Sequence, residues 1–325
     1  MSRVEGIQRI LFIRTDRIGD TLMNIPAIHH LRQTYPKAWI TLLCAPPVAE
    51  LFREHPDLDE VIAYDGAASG AQKKILDTIK AGKFDMAVVS NPDKFFHLLV
   101  FRAGIRHRVG YSRKWGFLLT QTITDDKDQC LRHEIESNLN LVRRVCEAEW
   151  DGSTPLPVNS AAKTKVEDFL SRQGADGMVI ALHVGTTNPK KRWPIERFAD
   201  LADKIQAEGV KVVLVGGREE RPQGEQIFRR ALLSVVDAIG VFNLNELTAF
   251  LGRPEVKALV TADSGPAHIA WMQGTPVVVF FAKDVPGSNP VRWGPRDGKS
   301  EVIEKPMSEI SADEAFAAVE KVLGK

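Results

Sequence analysis

The segment from Asp263 to His268 has the residue types of an anion site at the start of a helix. A β-rich run ends at Asp263, and Ser264 is suited to cap the helix that we predict after it. Pro266 suits the first helical turn, where its missing N–H costs nothing, and Gly265 lets a ligand approach the backbone. Free amides and the positive end of the helix dipole would favour a phosphate there. An ordinary capped helix explains Ser264 and Pro266, but not Asp263 together with His268.

A second predicted strand leads into HVGTTNPKKRWP, residues 183–194, which carries three consecutive cations. These cations lie just before a helix that begins at Pro194, where positive charge opposes the helix dipole. An anion, such as the diphosphate that leaves a nucleotide sugar, would offset this repulsion. The alternative is a solvated loop, which is the usual environment of a charge run.

The first predicted strand is followed by RTDRIGDT, residues 14–21, which holds a single glycine and so is neither GxGxxG nor a P-loop. Asp20 lies where we expect a helix to begin, so it can be a functional carboxylate or simply a helix cap. A glycine pair followed by Glu219 and Glu220 comes after another strand. Carboxylates there can accept from ribose hydroxyls or merely complement the helix dipole.

Residues 94–124 contain several cations and no acidic residue, which indicates an anionic partner or lipid surface. The cations are Lys94, Arg102, Arg106, Arg108, Arg113 and Lys114. The apolar residues of this segment, among them Phe95 and Leu98, are expected to pack in the core. We interpret the run Asp125–Asp128 as a solvated loop, and we find no constellation that predicts a metal site.

Short β-rich runs alternate with longer helical segments, which is typical of parallel βαβ units. The sequence WDGSTPLP, residues 150–157, is rich in turn residues and indicates a linker. We therefore predict an α/β protein with two doubly wound parallel sheets. Ligands of such sheets bind outside the carboxyl ends of the strands, so the loops after strands should carry the chemistry.

The predicted strands are Arg9–Arg14, Trp39–Cys44, Val61–Tyr64, Met86–Ser90, Arg108–Tyr111, Met178–Val184, Val210–Val215, Val256–Ala262 and Pro276–Phe281. The predicted helices are Thr21–Thr34, Lys73–Ala81, Ile195–Ala207, Glu219–Leu233, Asn245–Leu251, Gly265–Met272 and Ala312–Leu323.

Composition agrees with this organisation. The 325 residues exceed the roughly 100–200 of one domain, so two domains are expected. A formal charge of +1 argues against broad nucleic-acid binding. Three scattered cysteines predict reduced thiols, and the apolar run Ile10–Ile13 is too short for a signal-peptide core, so we expect a cytoplasmic protein.

Three segments together resemble glycosyltransferase family 9, the ADP-heptose:lipopolysaccharide heptosyltransferases. They are RIGDTLMNIPAIHHLR near the start, HVGTTNPKKRWP in the middle and DSGPAHIAWMQGTPVVVFF near the end, in order along nearly the whole chain. The resemblance implies a GT-B fold with two Rossmann-like domains facing across a cleft. Residues 1–155 would bind the acceptor and residues 156–325 the nucleotide-sugar donor, with the last helix able to pack back on the N-terminal domain.

The resemblance also implies roles for individual residues. Asp20 matches the family's proposed catalytic base, with Asp16 as the runner-up on position alone. Lys191 matches the lysine that contacts the donor phosphates, and Ser264 replaces a threonine in the D(T/S)G-x-x-H donor motif. The expected donor-binding residues are Thr186, Thr187, Lys191, Glu219 (or Glu220), Asp263, Ser264, Gly265 and His268. The expected acceptor-binding residues are Arg106, Arg108 and Arg113.

The implied activity is an inverting, metal-independent transfer of heptose from ADP-heptose to an anionic lipopolysaccharide inner-core acceptor. We expect a monomer without a cofactor, cytoplasmic and peripheral at the inner face of the inner membrane, with no nucleic-acid partner. One alternative is another nucleotide sugar on the same scaffold, for glycosyl transfer or epimerisation. A second alternative, from another class, is a non-catalytic nucleotide-sugar binding protein.

Overall fold

The computed structural model describes residues 4–152, 154, 156–175 and 177–324, so parts of the predicted linker, positions 153 and 155, lie outside the described residues. The chain splits into two compact units, Met1–Pro157 and Val158–Lys325. Each unit holds one six-stranded sheet in which every strand pair is parallel. This confirms the predicted α/β class with two parallel sheets.

The elements of the first unit follow in chain order. Its strands are β1 Arg9–Arg14, β2 Trp39–Cys44, β3 Glu60–Ala63, β4 Met86–Val89, β5 His107–Tyr111 and β6 Gln121–Ile123. Its helices are α1 Ile18–Leu22, α2 Ile25–Thr34, α3 Pro46–Phe52, α4 Ala71–Ala81, α5 Lys94–Arg102 and α6 Glu134–Val142, with short 3-10 helices at Gly116–Leu118 and Lys127–Gln129.

The elements of the second unit continue the numbering. Its strands are β7 Val179–His183, β8 Lys211–Gly216, β9 Val236–Ile239, β10 Val256–Ala262, β11 Val277–Ala282 and β12 Glu301–Lys305. Its helices are α7 Ser160–Arg172, α8 Ile195–Ala207, α9 Arg221–Arg230, α10 Leu244–Leu251, α11 Gly265–Met272, α12 Pro290–Trp293 and α13 Ala312–Val322, with short 3-10 helices at Pro189–Lys191 and Arg218–Glu220.

Both sheets have the same strand order, and this order decides where a ligand can bind. The first sheet runs β3-β2-β1-β4-β5-β6 and the second runs β9-β8-β7-β10-β11-β12. The chain therefore reverses direction across the sheet between β1 and β4, and again between β7 and β10. In doubly wound sheets the crevice outside such a reversal point is the ligand site. A ligand of either sheet is therefore expected to contact the residues that follow β1, β4, β7 and β10.

The central strands are buried on both faces, as their apolar sequences require. Four successive residues of β1, from Ile10 to Ile13, are 0% exposed, and β11 is buried throughout. Burying each such side chain contributes about 1.5–3 kcal/mol. Parallel strands covered on both faces hold the loops at their carboxyl ends on a rigid base.

One helix differs from the sequence-based prediction. The predicted helix Thr21–Thr34 is two helices, because the chain turns at Met23 and Asn24 before Pro26, whose ring nitrogen has no N–H to donate. The last helix, α13, packs on α8 and on strands β10, β11 and β12 of its own unit.

Several elements were not predicted: α3, α5, α6, α7, α12, β6, β9 and β12. No helix among the described residues is long and apolar enough to cross a bilayer.

Candidate active site

A buried arginine organises the carboxyl end of β1 in the first unit. Arg14, the last residue of that strand, is 3% exposed. Its Nε donates to Oδ1 of Asp16 at 2.7 Å, and its Nη2 donates to Oδ1 of Asp20 at 2.7 Å. The guanidinium therefore holds two carboxylates at the reversal point of the first sheet.

A buried carboxylate and a second buried cation lie next to Arg14. Its Nη1 donates to the carbonyl oxygen of Ser90, the residue after β4, at 3.0 Å and lies 3.6 Å from Oε1 of Glu134. Glu134 is 0% exposed and accepts from Nζ of Lys127 at 2.5 Å. Lys127 also lies 4.6 Å from the ring centroid of Tyr111. A buried carboxylate thus joins two buried cations, an arrangement that is destabilising unless every member keeps its partners.

The backbone around Asp20 is held as firmly as its side chain. Nδ2 of Asn24, in the turn between α1 and α2, donates to the carbonyl oxygen of Asp20 at 2.7 Å. Oγ of Ser90 donates in turn to Oδ1 of Asn24 at 2.6 Å. The loops after β1 and β4 are therefore tied together, which fixes the position from which the Asp20 carboxylate projects.

The charges of this cluster perturb one another. Burial by itself lowers the pKa of Arg14, but the carboxylates of Asp16, Asp20 and Glu134 outweigh it and raise that pKa, so the guanidinium stays charged. Burial raises the pKa of Asp16, and the nearby Asp20 adds to the rise while Arg14 opposes it. The Asp20 side chain is 20% exposed, so it remains accessible to a ligand.

The alternative that Asp20 merely caps a helix is wrong. Arg17 is the N-cap of α1, without a side-chain cap bond, and Asp20 is the third residue of that helix. The Asp20 carboxylate accepts from Arg14 rather than from a helix amide. Its role as a base stays a prediction.

In the second unit, an ion pair joins two of the predicted donor-binding residues. Nζ of Lys191 lies 2.5 Å from Oδ2 of Asp263, and Oγ of Ser288 donates to the same oxygen at 3.3 Å. The nearby Trp193 anchors the loop that carries Lys191, since it is 2% exposed and its Nε1 donates to the carbonyl oxygen of Ile310 at 2.9 Å. An ammonium group is therefore held at the carboxyl end of β10, just before α11.

Ser264 is the N-cap residue of α11 as predicted, but its side chain makes no cap hydrogen bond within the described residues. Its Oγ instead lies 3.1 Å from Oγ1 of Thr261 and 3.4 Å from Nδ1 of His183. Thr261 and His183 are themselves 2.9 Å apart, in the buried layer between β10 and β7. Diverting the Ser264 hydroxyl leaves the first amides of α11 without that cap, and such amides favour an anion.

Burial makes His183 a neutral group. The surrounding protein lowers the pKa of His183 to about 4, because a charged imidazolium would lose its hydration there. A β-carbon placed on Gly185 would lie 2.7 Å from Oε1 of Glu220 and 2.8 Å from Nε2 of His183. A larger residue at position 185 would therefore have to displace the Glu220 carboxylate or the His183 ring, which both approach this backbone.

Glu219 and Glu220 have different positions although they are adjacent. Oε2 of Glu220 accepts from the backbone N–H of Gly217 at 2.6 Å, and burial together with Glu219 raises the pKa of Glu220. Glu219 is exposed. Glu220 thus braces the turn after β8, and Glu219 is the carboxylate of this pair that is accessible to solvent.

The remaining predicted donor residues lie at the same edge of the second sheet. Thr186 bonds the backbone of Asn188 through its hydroxyl, and Thr187 is exposed. His268 is 5% exposed, accepts from Nε1 of Trp271 at 3.4 Å, and has its ring 6.1 Å from that of Trp293. Donor binding by these residues stays a prediction.

The predicted acceptor arginines divide by their contacts. Arg113 is paired with Asp125 at 2.5 Å and with Asp128 at 3.5 Å. Arg108 donates to the carbonyl oxygens of Leu118 and Ile105 and lies 5.5 Å from the ring centroid of Phe101. Only Arg106 of the three is exposed without an ion pair or hydrogen bond to any described residue.

The interpretation of residues 125–128 as a solvated loop is wrong for Asp125 and Lys127, whereas the Asp128 side chain is 82% exposed. The Asp125 side chain is 2% exposed and Lys127 is buried against Glu134. A charge run is usually solvated, but here each of these two charges has a partner that lies outside the run. Among the described residues, no group of three or more His, Cys, Asp or Glu side chains is arranged to hold a metal ion.

Sequence reasoning missed several residues that shape these clusters. Arg14 and His183 lie inside the singled-out segments, and the signal that could have found them is a polar residue at the end of an otherwise apolar strand. Glu134 gave no such signal, because nothing near it in the sequence marks it as the partner of Arg14.

Residues 73–319 match the family described as glycosyltransferase family 9 (heptosyltransferase). A similar protein is the lipopolysaccharide heptosyltransferase 2 of Escherichia coli strain K12, 27% identical over 311 residues, an alignment that covers 91% of this chain and 87% of that protein.

Two solved structures show the same fold. A glycosyl transferase family 9 protein of Veillonella parvula DSM 2008 superposes with a TM-score of 0.89 at 23% identity, covering 100% of both chains. The ADP-heptose lps heptosyltransferase II of E. coli superposes with a TM-score of 0.81 at 22% identity, covering 97% of this chain and 98% of that one. The fold is thus GT-B-like, as predicted.

Proposed function

Because the chain belongs to glycosyltransferase family 9, the heptosyltransferase family, we propose that it transfers heptose from ADP-heptose to an anionic lipopolysaccharide inner-core acceptor. The names of two similar proteins support this donor and acceptor, since one is a lipopolysaccharide heptosyltransferase and the other an ADP-heptose-using one. The residues of the two clusters supply the chemistry that such a transfer needs.

The observation that carries the proposal is the Lys191–Asp263 ion pair before α11. Negative charge grows on the diphosphate as its bond to the sugar breaks, so a donor site must offer preorganised positive groups. The Lys191 ammonium, held by Asp263, and the amides at the start of α11 are such groups. We assign them to the donor phosphates, with Gly265 allowing the diphosphate to approach the backbone.

The rest of the donor site follows from exposure and chemistry. Glu219 is assigned to the ribose hydroxyls, because Glu220 is engaged with the Gly217 amide. Thr186, Thr187, Ser264 and His268 supply further hydrogen-bonding groups around the nucleotide sugar. Residues 156–325 would then form the donor domain and residues 1–155 the acceptor domain.

Asp20 is assigned as the base that accepts the proton of the attacking hydroxyl. Inversion in one displacement requires that hydroxyl to reach C1 of the sugar from the face opposite the diphosphate, and a carboxylate within hydrogen-bond reach would take its proton. Nη2 of Arg14 donates to Oδ1 of Asp20, which holds the carboxylate in the position from which it would accept that proton. A proton transfer that comes late, after the bond to diphosphate has largely broken, would place the least demand on the base. Asp16 is the alternative base.

The proposed setting is the cytoplasm, with the protein a monomer that is peripheral at the inner face of the inner membrane. Arg106, Arg108 and Arg113 are assigned to the acceptor side, where Arg106 has the cation that is available to acceptor phosphates.

The direct experiment combines the purified chain with ADP-heptose and heptose-free lipopolysaccharide core. Mass spectrometry should detect addition of one heptose, and NMR of the product should show an inverted anomeric configuration relative to the donor. UDP-sugars and GDP-sugars serve as controls for the donor base, and ADP should raise the melting temperature more than UDP does. Stabilisation and turnover with UDP-sugars but not ADP-sugars would contradict the proposed donor.

A further inference from the structure

Helix α5 presents a mixed apolar and cationic stripe to solvent. Lys94, Leu98, Phe101 and Arg102 recur at the spacing of one helical face, while the opposite residues of α5 are buried. Phe101 is 49% exposed. An amphipathic helix normally turns its large apolar side chains inward, so an aromatic ring on the outer face requires another explanation.

A neighbouring turn adds two more exposed aromatic rings. The short 3-10 helix Gly116–Leu118 packs on α5, and Phe117 within it is 79% exposed. Trp115, just before it, is 38% exposed, with Nζ of Lys94 lying 5.8 Å from its ring centroid. Among the described residues the exposed large aromatic side chains are Trp39, Phe101, Trp115 and Phe117. Three of these four therefore belong to one segment, which marks an interaction site.

The charges around these rings are of one sign. Lys94, Arg102, Arg106 and Lys114 are exposed, and none of them is in an ion pair with a described residue. Arg113, in the same segment, is the exception, because Asp125 and Asp128 neutralise it. In a chain of formal charge +1, this surface concentrates unneutralised positive charge. We call the exposed aromatic rings Phe101, Trp115 and Phe117 with these four cations the aromatic face.

A groove beside α5 extends the same chemistry. Its volume is about 650 Å³, and it lies between the start of α4 and the length of α5. Leu76, Phe95 and Leu98 line it, and Lys73 and Arg102 are its charged residues. No acidic side chain lines it among the described residues. The apolar and cationic character of the aromatic face thus continues into a concave surface.

We propose that the aromatic face docks on the surface of an anionic phospholipid bilayer, with Phe101 and Phe117 inserted among the headgroups and Trp115 at the interface. Amphipathic surfaces with aromatic residues and flanking cations bind at this depth, because apolar area leaves water while the cations meet anionic headgroups. Tryptophan is favoured at the membrane–water boundary. The proposal rests on the proposed function only for the expectation that the enzyme works at a membrane.

Vesicle co-sedimentation tests the proposal without any sugar nucleotide. Vesicles of phosphatidylglycerol and phosphatidylethanolamine should bind the full chain, and phosphatidylcholine vesicles should not. The double variant F101S/F117S should weaken binding at least about tenfold, because the apolar surface of two exposed rings no longer leaves water. The double variant R102Q/R106Q should weaken it roughly 25-fold, at about fivefold for each cation near the surface.

Leu232→Ser is the matched control, because Leu232 is 88% exposed in the other unit. It should leave vesicle binding unchanged. Each variant is accepted only if its circular dichroism and melting temperature match the parent chain. Equal vesicle binding by F101S/F117S and the parent chain would overturn insertion of the rings. Failure of the parent chain to bind anionic vesicles would overturn it as well.

A second measurement locates the contact on the molecule. Brominated lipid should quench part of the intrinsic fluorescence, and Trp115→Phe should remove that part. Undiminished quenching in the variant would contradict docking through this face. Vesicle binding without heptosyl transfer would contradict the proposed function but not this inference. Heptosyl transfer without vesicle binding would contradict this inference but not the proposed function.

Discussion

Oδ1 of Asp20 lies 2.7 Å from Nη2 of Arg14, a guanidinium that is almost completely buried at the end of β1. The pair is continued inward by Glu134 and Lys127, so the proposed base is the accessible end of a chain of alternating charges. Such a chain fixes geometry, because moving any member leaves a buried charge unpaired. The position of the Asp20 carboxylate is thus decided by residues that are almost completely buried.

Glu134→Gln should destabilise the first unit by about 3 kcal/mol, because it leaves Arg14 and Lys127 buried without their shared carboxylate. Urea unfolding, followed by circular dichroism, measures this change. Glu136→Gln is the matched control on the same helix, since Glu136 is part-exposed and its bond to Arg143 is 3.4 Å long. The control should change the free energy of unfolding by less than about 1 kcal/mol. Equal effects of the two variants would contradict a special role for the buried chain.

Lys191→Ala should lower the affinity for ADP roughly ten- to hundredfold and slow turnover, since a charge-assisted contact to the diphosphate is lost. Lys191→Arg should restore only part of both, because the guanidinium has a different shape. Isothermal titration and initial rates measure the two effects. Lys190→Ala, an exposed neighbour, should bind ADP normally. Unchanged affinity and rate in Lys191→Ala would show that the lysine serves only Asp263.

The pH dependence of stability should report His183. Its pKa is about 4 in the folded chain and about 6.5 when unfolded, so the unfolded state binds the extra proton between these values. The free energy of unfolding is therefore highest above about pH 6.5, and it falls by about 3 kcal/mol in all as the pH is lowered toward 4.

A His183→Gln variant separates this effect from the carboxylates, which titrate in both proteins. Its unfolding free energy should fall less steeply than that of the parent chain between pH 6.5 and 4. Parallel curves for the parent and His183→Gln would mean that His183 is charged or hydrated in the folded state.

Sequence reasoning located the loops of both clusters because a polar residue at the end of an apolar strand is visible locally. Asp20 and Asp263 were found in this way. Partners were not found where they come from distant segments: Glu134 lies 120 residues after Arg14, and no local pattern links them. The Ser264 cap failed for a related reason, since His183 and Thr261 compete for its hydroxyl across the sheet.

The same limit explains the errors in the first unit. Apolar periodicity runs unbroken through residues 21–34, so it concealed the turn that Asn24 and Pro26 impose. Charge runs are solvated more often than buried, so Asp125 and Lys127 were assigned to solvent although both are paired inside. Composition reports the average environment of a residue type, and only the fold supplies the specific partner.

Arg113→Gln should change stability and Arg106→Gln should change acceptor binding, although both arginines were predicted to bind the acceptor. Arg113→Gln leaves the buried Asp125 carboxylate without its cation, so it should lower the free energy of unfolding by about 1–3 kcal/mol. Arg106→Gln should leave stability unchanged and raise the KM for the acceptor, with the difference shrinking in added salt. Denaturant unfolding and acceptor kinetics measure the two. An unchanged acceptor KM for Arg106→Gln would remove Arg106 from the acceptor site.

Asp20→Asn should separate chemistry from structure. The amide oxygen of asparagine can still accept from Nη2 of Arg14, so folding and ADP binding should survive. The group that takes the proton is lost, so turnover should fall by roughly 10²–10⁴-fold with little change in the KM for ADP-heptose. Asp16→Asn is the comparison variant, because Asp16 also accepts from Arg14 but lies before α1. Single-turnover rates of the three proteins decide the assignment: near-normal transfer by Asp20→Asn would refute Asp20 as the base, and a large loss in Asp16→Asn instead would give that role to Asp16.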